Sequence, residues 1–550
     1  MKKSILFIIS LFMVLSLTGC KEKPVEQKED IYIIYTNDVH CAVEGDLDYA
    51  SVVALKNELL EEHKYVTIVD AGDYIQGGSI GTLTKGTSII EIMNKVGYNV
   101  AGIGNHEFDY SIDVLKNDID MADFDVVSCN IEYFGKNENK LTEVKPYSIQ
   151  DYDGFKVAFV GVSTPKSLTS SAPKNFMEDG EFAYGFYDGE DGKRLYDQVQ
   201  KNIDEARKQG AQYVVLLTHL GIGTADSPYC SYDLIQNTNG VDAVIDSHSH
   251  VTMANDYYDN KDGKDVVLTS TGTRFANIGL MVLKTDKTVE TVLIESYDKK
   301  DEETATFISN KVNEFETSLA KVVAKNDSDL SISRDGFRTV RNRETNVANL
   351  VSDSIRFICD TDIAFANGGG VRADIPAGDV TLNTVLTVLP FQNEIGIVRA
   401  TGQMIADALE FGSRKVLEYE HDDEYAAGES GGFLHPSGLR YTIDTSIEST
   451  VTTDDSGLQL SLGENRRVCN IEVLEDGKYV PLDMNKTYTV AANSFLLFSN
   501  GDGNTSFNGA ETVTTSVDVD ADILIEYLEE NLKGVIPASY KELEGRIIVK

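Results

Sequence analysis

The residues of this 550-residue chain whose types and spacing could do chemistry fall into five short polar clusters, each directly behind an apolar run. They are Thr36-Asn37-Asp38-Val39-His40, Asp70-Ala71-Gly72-Asp73, Gly104-Asn105-His106-Glu107-Phe108-Asp109, Thr218-His219 and Asp246-Ser247-His248-Ser249-His250. Aspartate and asparagine oxygens with imidazole nitrogens, and no cysteine, suit a pair of hydrolytic divalent cations such as zinc or manganese. Two such ions about 3.5–4 Å apart need a bridging carboxylate and two or three further ligands each. The supply matches the demand. Asp38 and His40 can serve one ion, Asn105 and His219 the other, Asp73 can bridge, and His248 and His250 can give one nitrogen apiece.

Such groups converge only if the chain holds their loops at one edge. Apolar, β-branched runs at 31–35, 65–69, 98–103, 126–128, 157–162, 213–217, 241–245 and 266–270 read as strands, with helices at 48–63, 89–96 and 193–209 between them. Strand, polar loop and helix in repetition describe a layered α/β organisation, and such sheets hold ligands at the carboxyl ends of their strands. Composition shifts near 300–335, where a charged, helix-prone stretch (301–336) leads to a second half. That half opens with a helix at 346–358, carries Asn367-Gly368-Gly369-Gly370-Val371-Arg372 and Leu389-Pro390-Phe391, and closes with a helix near 521–532.

Composition excludes several classes. A hydrophobic content of 41% with 25% charged residues is that of a globular chain, and 550 residues suffice for two sizeable cores. The formal charge of −40 argues against a nucleic-acid polymer as partner, because a phosphate backbone needs a basic stripe. An anionic small molecule would need local cations, metal ions or arginines. Residues 1–20 read as a bacterial lipoprotein signal: Lys2 and Lys3, an apolar run, then Leu17-Thr18-Gly19-Cys20, with 21–30 as a polar tether. The expectation is a globular body outside the cytoplasm, at the cell surface or in the periplasm, anchored by lipid on Cys20. Five further cysteines at wide spacings make no CxxC pair and leave disulfide pairing open, as the sequence leaves oligomeric state.

The clusters together resemble the five-block signature of calcineurin-like metallophosphoesterases, and the strings Tyr35-Thr36-Asn37-Asp38-Val39-His40 and Gly104-Asn105-His106-Glu107-Phe108-Asp109 resemble the 5′-nucleotidase family. Arg341-Asn342-Arg343-Glu344-Thr345-Asn346, the Gly368–Gly370 string and Asn500-Gly501-Asp502-Gly503 are similar to that family's substrate-binding domain. The resemblance implies a four-layer α/β/β/α metallophosphoesterase sandwich (31–300), a helical linker (301–336) and a second, α+β nucleotide-binding domain (337–550). It implies metal ligands Asp38, His40, Asp73, Asn105, His219, His248 and His250, with Asp73 bridging two divalent ions, and a catalytic dyad of His106 and Asp109. The imidazole would stabilise charge on phosphoryl or leaving oxygens while Asp109 orients its ring, and water activated by the ions would attack phosphorus. Arg341, Arg343 and Arg372 would clamp phosphate, Asn367 would hydrogen-bond the base, Phe391 and Phe495 would sandwich it, Asp502 would accept from ribose hydroxyls, and Gly369 would belong to the same substrate-binding set. Two departures stand out. Cys41 follows His40 where the family usually has a small residue such as glycine, and the 495–502 stretch is one residue longer than the family pattern, so either Phe495 or Phe498 is the second platform. The implied activity is removal of phosphate from nucleotides. A 2′,3′-cyclic-nucleotide phosphodiesterase, a nucleotide-sugar hydrolase, a sulfur-compound hydrolase and a non-catalytic nucleoside- or metal-capturing surface protein are the other readings.

Overall fold

The structure is a computed structural model describing residues 26–171, 173–178, 181–223, 227–334, 336–417 and 428–550. The expected signal segment, Cys20 and most of the tether lie outside the described residues. The first half is built on two six-stranded sheets. In one, Ile31–Thr36, Tyr65–Asp70, Val100–Gly102 and Asp125–Val127 run parallel, and Ile278–Leu283 and Val289–Ile294 extend the edge antiparallel. In the other, Phe155–Ser163, Ala211–His219, Ala243–Ile245 and Asp265–Thr271 run parallel, flanked antiparallel by Tyr147–Tyr152 and Thr252–Asp259.

Alternation along these strands explains the layering. Ile31, Ile33 and Tyr35 point between the sheets with Val157, Phe159, Tyr213 and Val215, forming a dry inter-sheet core. Ile34, Ile68 and Ala101 point outward onto the helices Tyr49–Glu62 and Thr87–Val96. On the far side Val160, Val214 and Leu216 meet Lys193–Lys208 and Ser231–Asn237. The architecture is the expected α/β metallophosphoesterase sandwich followed by a carboxyl-terminal domain.

That domain holds a five-stranded sheet ordered Leu434–Ser437, Ile363–Asn367, Thr487–Asn493, Ile395–Thr401, Glu511–Thr514, and a four-stranded sheet ending in Ile547–Val549. Among the described residues of 301–336, only Glu302–Leu319 is α-helical, capped by Asp301, whose side chain accepts from Thr304 N. Val322–Asn326 is a strand paired antiparallel with Gly378–Thr381. The closing helix is α-helical over Asp520–Glu526 and then widens into a π turn over Tyr527–Asn531.

Candidate metal centre and substrate cleft

Each sequence cluster lies where a parallel strand ends, and both sheets end at the same edge. Asp38 and His40 follow Ile31–Thr36, Asp73 follows Tyr65–Asp70, and Asn105 follows Val100–Gly102. His219 is the last residue of its strand, and His248 and His250 follow Ala243–Ile245. Asp38, His40, Asp73, His248 and His250 all have left-handed backbone, with φ of 49°, 48°, 62°, 78° and 56°. That conformation costs a residue with a Cβ about 1–2 kcal/mol, and it persists only where the surroundings fix it.

The fixing contacts are visible. The buried Glu107 carboxylate accepts from Gly104 N (2.7 Å), Asp73 N (2.9 Å) and Tyr74 N (2.9 Å), tying two ligand loops together. Asn37 donates to Asp38 Oδ2 (2.7 Å) and to Gly272 O (2.9 Å) while its own Oδ1 accepts from Thr271 N (2.8 Å). His40 turns Nδ1 to Gln76 O (3.0 Å), which directs Nε2 inward, and His219 turns Nδ1 to Ala71 O (3.1 Å) and Ser247 Oγ (2.7 Å). Two glycines permit the close approach. Gly72 has φ +101°, where a Cβ would come within 2.6 Å of Gly104 N, and a Cβ on Gly104 would collide with Asp73 Oδ1 and the His219 ring.

Two groups of donor atoms result. Those of Asp38, His40, Asp73 and His250 lie within 4.8 Å of one another, as do those of Asp73, His219 and His248. Asn105 Oδ1 joins the second group at 2.9 Å from His248 Nδ1. Asp73 alone belongs to both. A divalent ion in each group fits the side chains present. With Nδ1 committed to a carbonyl, wholly buried His219 Nε2 has no hydrogen-bond partner, although Asp73 Oδ2 stands 3.1 Å away. A buried imidazole nitrogen facing a carboxylate in a dry site needs either a proton or a cation between them. In the bare cluster protons take those places: against burial, Asp73 raises His219 to about 10, and burial raises Asp38 to about 7. Burial opposes ionisation of Asp73, but His219 and then His106 outweigh it and hold the carboxyl well below its usual range. Burial, with neighbouring positive groups, holds His40 and His250 well below the ordinary imidazole value, so both are neutral donors.

Beside this centre His106 Nδ1 meets Asp109 Oδ2 at 2.5 Å, and Ser171 Oγ donates to Asp109 Oδ1 (2.7 Å). Burial lowers the affinity of His106 for its proton, but Asp109 and Asp73 outweigh it and raise the pKa above the usual value. Across from His106, ring centroids 5.7 Å apart, stands Phe391 of the second domain. A cavity of about 530 Å³ opens between the domains, walled by Asp73, Asn105, His106 and Asp109 on one side and by Arg341, Asn367, Gly369, Arg372, Phe391, Phe495 and Asp502 on the other. Asn367 Nδ2 donates to Asp502 Oδ2 (3.1 Å), and the Arg372 guanidinium lies 5.7 Å from the Phe391 ring centroid.

The structure therefore brings together every expected residue but one. Arg343 turns away and spends its guanidinium on Asn342 O (2.8 Å) and Leu417 O (2.6 Å), outside the cavity lining. Arg338, three residues before Arg341, lines the cavity instead and donates from Nε and Nη2 to the two carboxylate oxygens of Glu429. Phe495 lines the cavity, whereas Phe498 packs over Gly396, where a Cβ would meet its ring. Arg414, stacked on Phe411 at 3.9 Å, also lines the cavity and was not anticipated. Glu107, Asn37 and Ser247 were likewise unforeseen as supports.

Fold and site define a metal-dependent phosphoesterase with a second domain completing its cleft. A family model described as the 5′-nucleotidase C-terminal domain matches residues 322–509, and one described as a bacterial capsule synthesis protein matches 66–273. The chain is 27% identical over 575 residues to the trifunctional nucleotide phosphoesterase protein YfkN of Bacillus subtilis, a match covering 96% of this chain and 35% of that protein. It is 25% identical to a snake venom 5′-nucleotidase of Gloydius brevicauda over 94% of this chain and 88% of that one. The crystal structure of a 5′-nucleotidase precursor from Thermus thermophilus superposes with a TM-score of 0.75 at 27% identity, covering 94% of this chain and 99% of that one. The chain is similar to 5′-nucleotidases along nearly its whole length, and its second half matches their C-terminal domain.

Proposed function

We propose that the protein is a dinuclear-metal hydrolase that removes the 5′-phosphate from nucleoside monophosphates outside the cytoplasm. The observation that carries this reading is one cavity holding the shared carboxylate Asp73 and His106 on one wall and Phe391, Asn367, Phe495 and Asp502 on the other. Support for a nucleotide comes also from the names of the relatives. Asp38, His40 and His250 would hold one ion, Asn105, His219 and His248 the other, with Asp73 shared. Bound there, two divalent ions such as zinc or manganese supply Lewis acidity toward phosphoryl oxygens and lower the pKa of water.

The chain's own residues do the rest. Arg341 and Arg372 present guanidiniums to the phosphate. His106, its ring fixed by Asp109, holds a proton at Nε2 toward the phosphoryl or leaving oxygen. Phe391 and Phe495 supply apolar faces for a base, Asn367 a hydrogen-bonding edge, and Asp502 an acceptor for ribose hydroxyls. The lipoprotein-type signal ending at Cys20 supports the location and the lipid anchor, and a relative named as a snake venom protein supports the location alone.

The test is a turnover panel of AMP, cyclic 2′,3′-AMP, UDP-glucose and a thiosulfate conjugate, with manganese or zinc added and metal content assayed. AMP as the best substrate, with about two ions per chain, is expected. Preference for either of the other nucleotides reassigns the reaction, and one ion per chain refutes the bridging role of Asp73. In His106→Ala, kcat should fall about 10²–10⁴-fold while KM changes little, as the loss of a proton-transfer group requires.

A further inference from the structure

On the His40 and His250 side of the metal centre lies a second, smaller cavity of about 150 Å³. Arg338, Arg341 and Arg372 of the carboxyl-terminal domain line it, and Arg274 of the metal domain closes it. No carboxylate lines it among the described residues, and neither Phe391 nor Phe495 reaches it, so it lies apart from the nucleoside end of the cleft. Its volume exceeds by severalfold the roughly 30 Å³ that one water occupies. A tetrahedral oxyanion fits.

Arg274 is held for this position. It follows the strand Asp265–Thr271, its backbone N–H donates to Asp38 O (2.9 Å), and its Nη2 donates to Gly77 O (2.7 Å). Those contacts span two ligand-bearing loops, yet the side chain gains only a neutral carbonyl. Among the described residues no carboxylate pairs with Arg274, Arg341 or Arg372, whereas Arg338 has Glu429. Burial, followed by the repulsion of Arg341, Arg338 and Arg274, disfavours the charged form of Arg372. Arginine nonetheless keeps its proton in proteins, so the repulsion stays in the fold until an anion enters. His250, Arg338, Arg341 and Arg372 line both cavities, whereas Arg274 lines the smaller one and not the larger.

We infer that Arg274, with Arg338, Arg341 and Arg372, builds a second phosphate-holding chamber beside the metal centre, distinct from the place where the scissile phosphate meets His106. Its ligand is a phosphate dianion, either released orthophosphate or the additional phosphoryl group of a nucleoside diphosphate. The source of that phosphate rests on the proposed nucleotide hydrolysis; the binding itself does not.

Calorimetric titration of orthophosphate into the full chain, with manganese present and adenosine filling the nucleoside end, tests the inference. The wild type should take up two phosphates. Arg274→Gln should lose the second or bind it at least tenfold more weakly, and Arg274→Lys should retain it. Kinetics then separate the sources. If the chamber holds product, R274Q raises the inhibition constant of orthophosphate at least fivefold and leaves the ADP-to-AMP ratio of kcat/KM unchanged. If it holds a second phosphoryl group, that ratio falls at least tenfold. One phosphate per wild-type chain overturns the chamber, as does an R274Q protein of native circular dichroism that binds two with unchanged affinity. The wild-type stoichiometry needs no variant, so a misfolded R274Q leaves the test standing. Two bound phosphates without any nucleotide turnover would uphold the chamber and refute the proposed reaction.

Discussion

Glu107 never faces the cleft, yet its carboxylate gathers the amides of Asp73, Tyr74 and Gly104 and so fixes where the shared ligand stands. Glu107→Gln keeps the shape but turns an amide N–H₂ toward donors that need an acceptor, leaving at least one buried N–H unpaired. Urea unfolding should show a loss of about 1–3 kcal/mol, and manganese titration a roughly 10–100-fold weaker affinity. An affinity within twofold of wild type would show that the loops hold Asp73 without it. The contrast between Glu107 and the ligands explains what was legible in the sequence. Asp38, His40, Asp73, Asn105, His219, His248 and His250 announce themselves because coordination demands those residue types just past a strand. Glu107, Asn37 and Ser247 act on the backbone of distant segments, and no local spacing encodes a partner 34 or 148 residues away such as Asp73 for Glu107 or Ala71 for His219. Arg338 and Arg343 flank Arg341 with equal credentials. The turn in which the Asn342 and Arg343 amides both reach Thr339 O decides which of them faces the cavity.

The helix Ile112–Met121 buries an oddity: Asp118 is 2% exposed and neither of its oxygens has a hydrogen-bond partner. Burial pushes its pKa up to about 7. An unfolded aspartate titrates near 3.9, so between about pH 4 and pH 7 the folded chain keeps a proton that the unfolded chain has released. This carboxyl's contribution to stability is therefore full below about pH 4, declines as pH rises, and levels off above about pH 7. Asp118→Asn removes the dependence. At pH 8 the variant should match or exceed the wild type, by up to about 2–4 kcal/mol, and the two should converge toward pH 4 in denaturant titrations. A constant difference across that range would mean the carboxyl ionises freely. At this scale the sequence shows the buried parallel strands plainly, because their faces are apolar on both sides. The edge strand Thr252–Asp259 was missed, since most of its side chains are exposed and polar and it carries no periodic signal. The connector reads as helix throughout, but its charged pattern ends at Leu319 and the chain then pairs with Gly378–Thr381 because Val323 and Ala324 complete the second core.

Across the molecule, among the described residues, no buried apolar cluster spans the two domains. Thr82 Oγ1 donates to Pro390 O (2.9 Å), Thr169 Oγ1 donates to Ser456 O (2.8 Å), and the His106 and Phe391 rings face each other over the cleft. The connecting helix belongs to both bodies, with Ile308 in the first core and Leu319 in the second, so a bend is cheapest just past Leu319, where the chain leaves the helix. Thr169 and Ser456 line the same cavity as Phe391 and Phe495, so parting their segments widens the way to the base platforms. Single hydrogen bonds of this kind contribute about 0.5–1.5 kcal/mol net, little enough to break in every catalytic cycle. Turnover should then require the domains to part. In a Cys359→Ser, Cys469→Ser background, which removes the half-buried thiols, cysteines at 169 and 456 joined by a short cleavable bis-thiol reagent should reduce AMP turnover at least tenfold, and cutting the link should restore it. A link introduced within the metal domain alone should leave the rate unchanged. Full turnover in the joined protein would mean that nucleotides enter and leave a closed cleft, and that the contact between domains serves assembly rather than exchange.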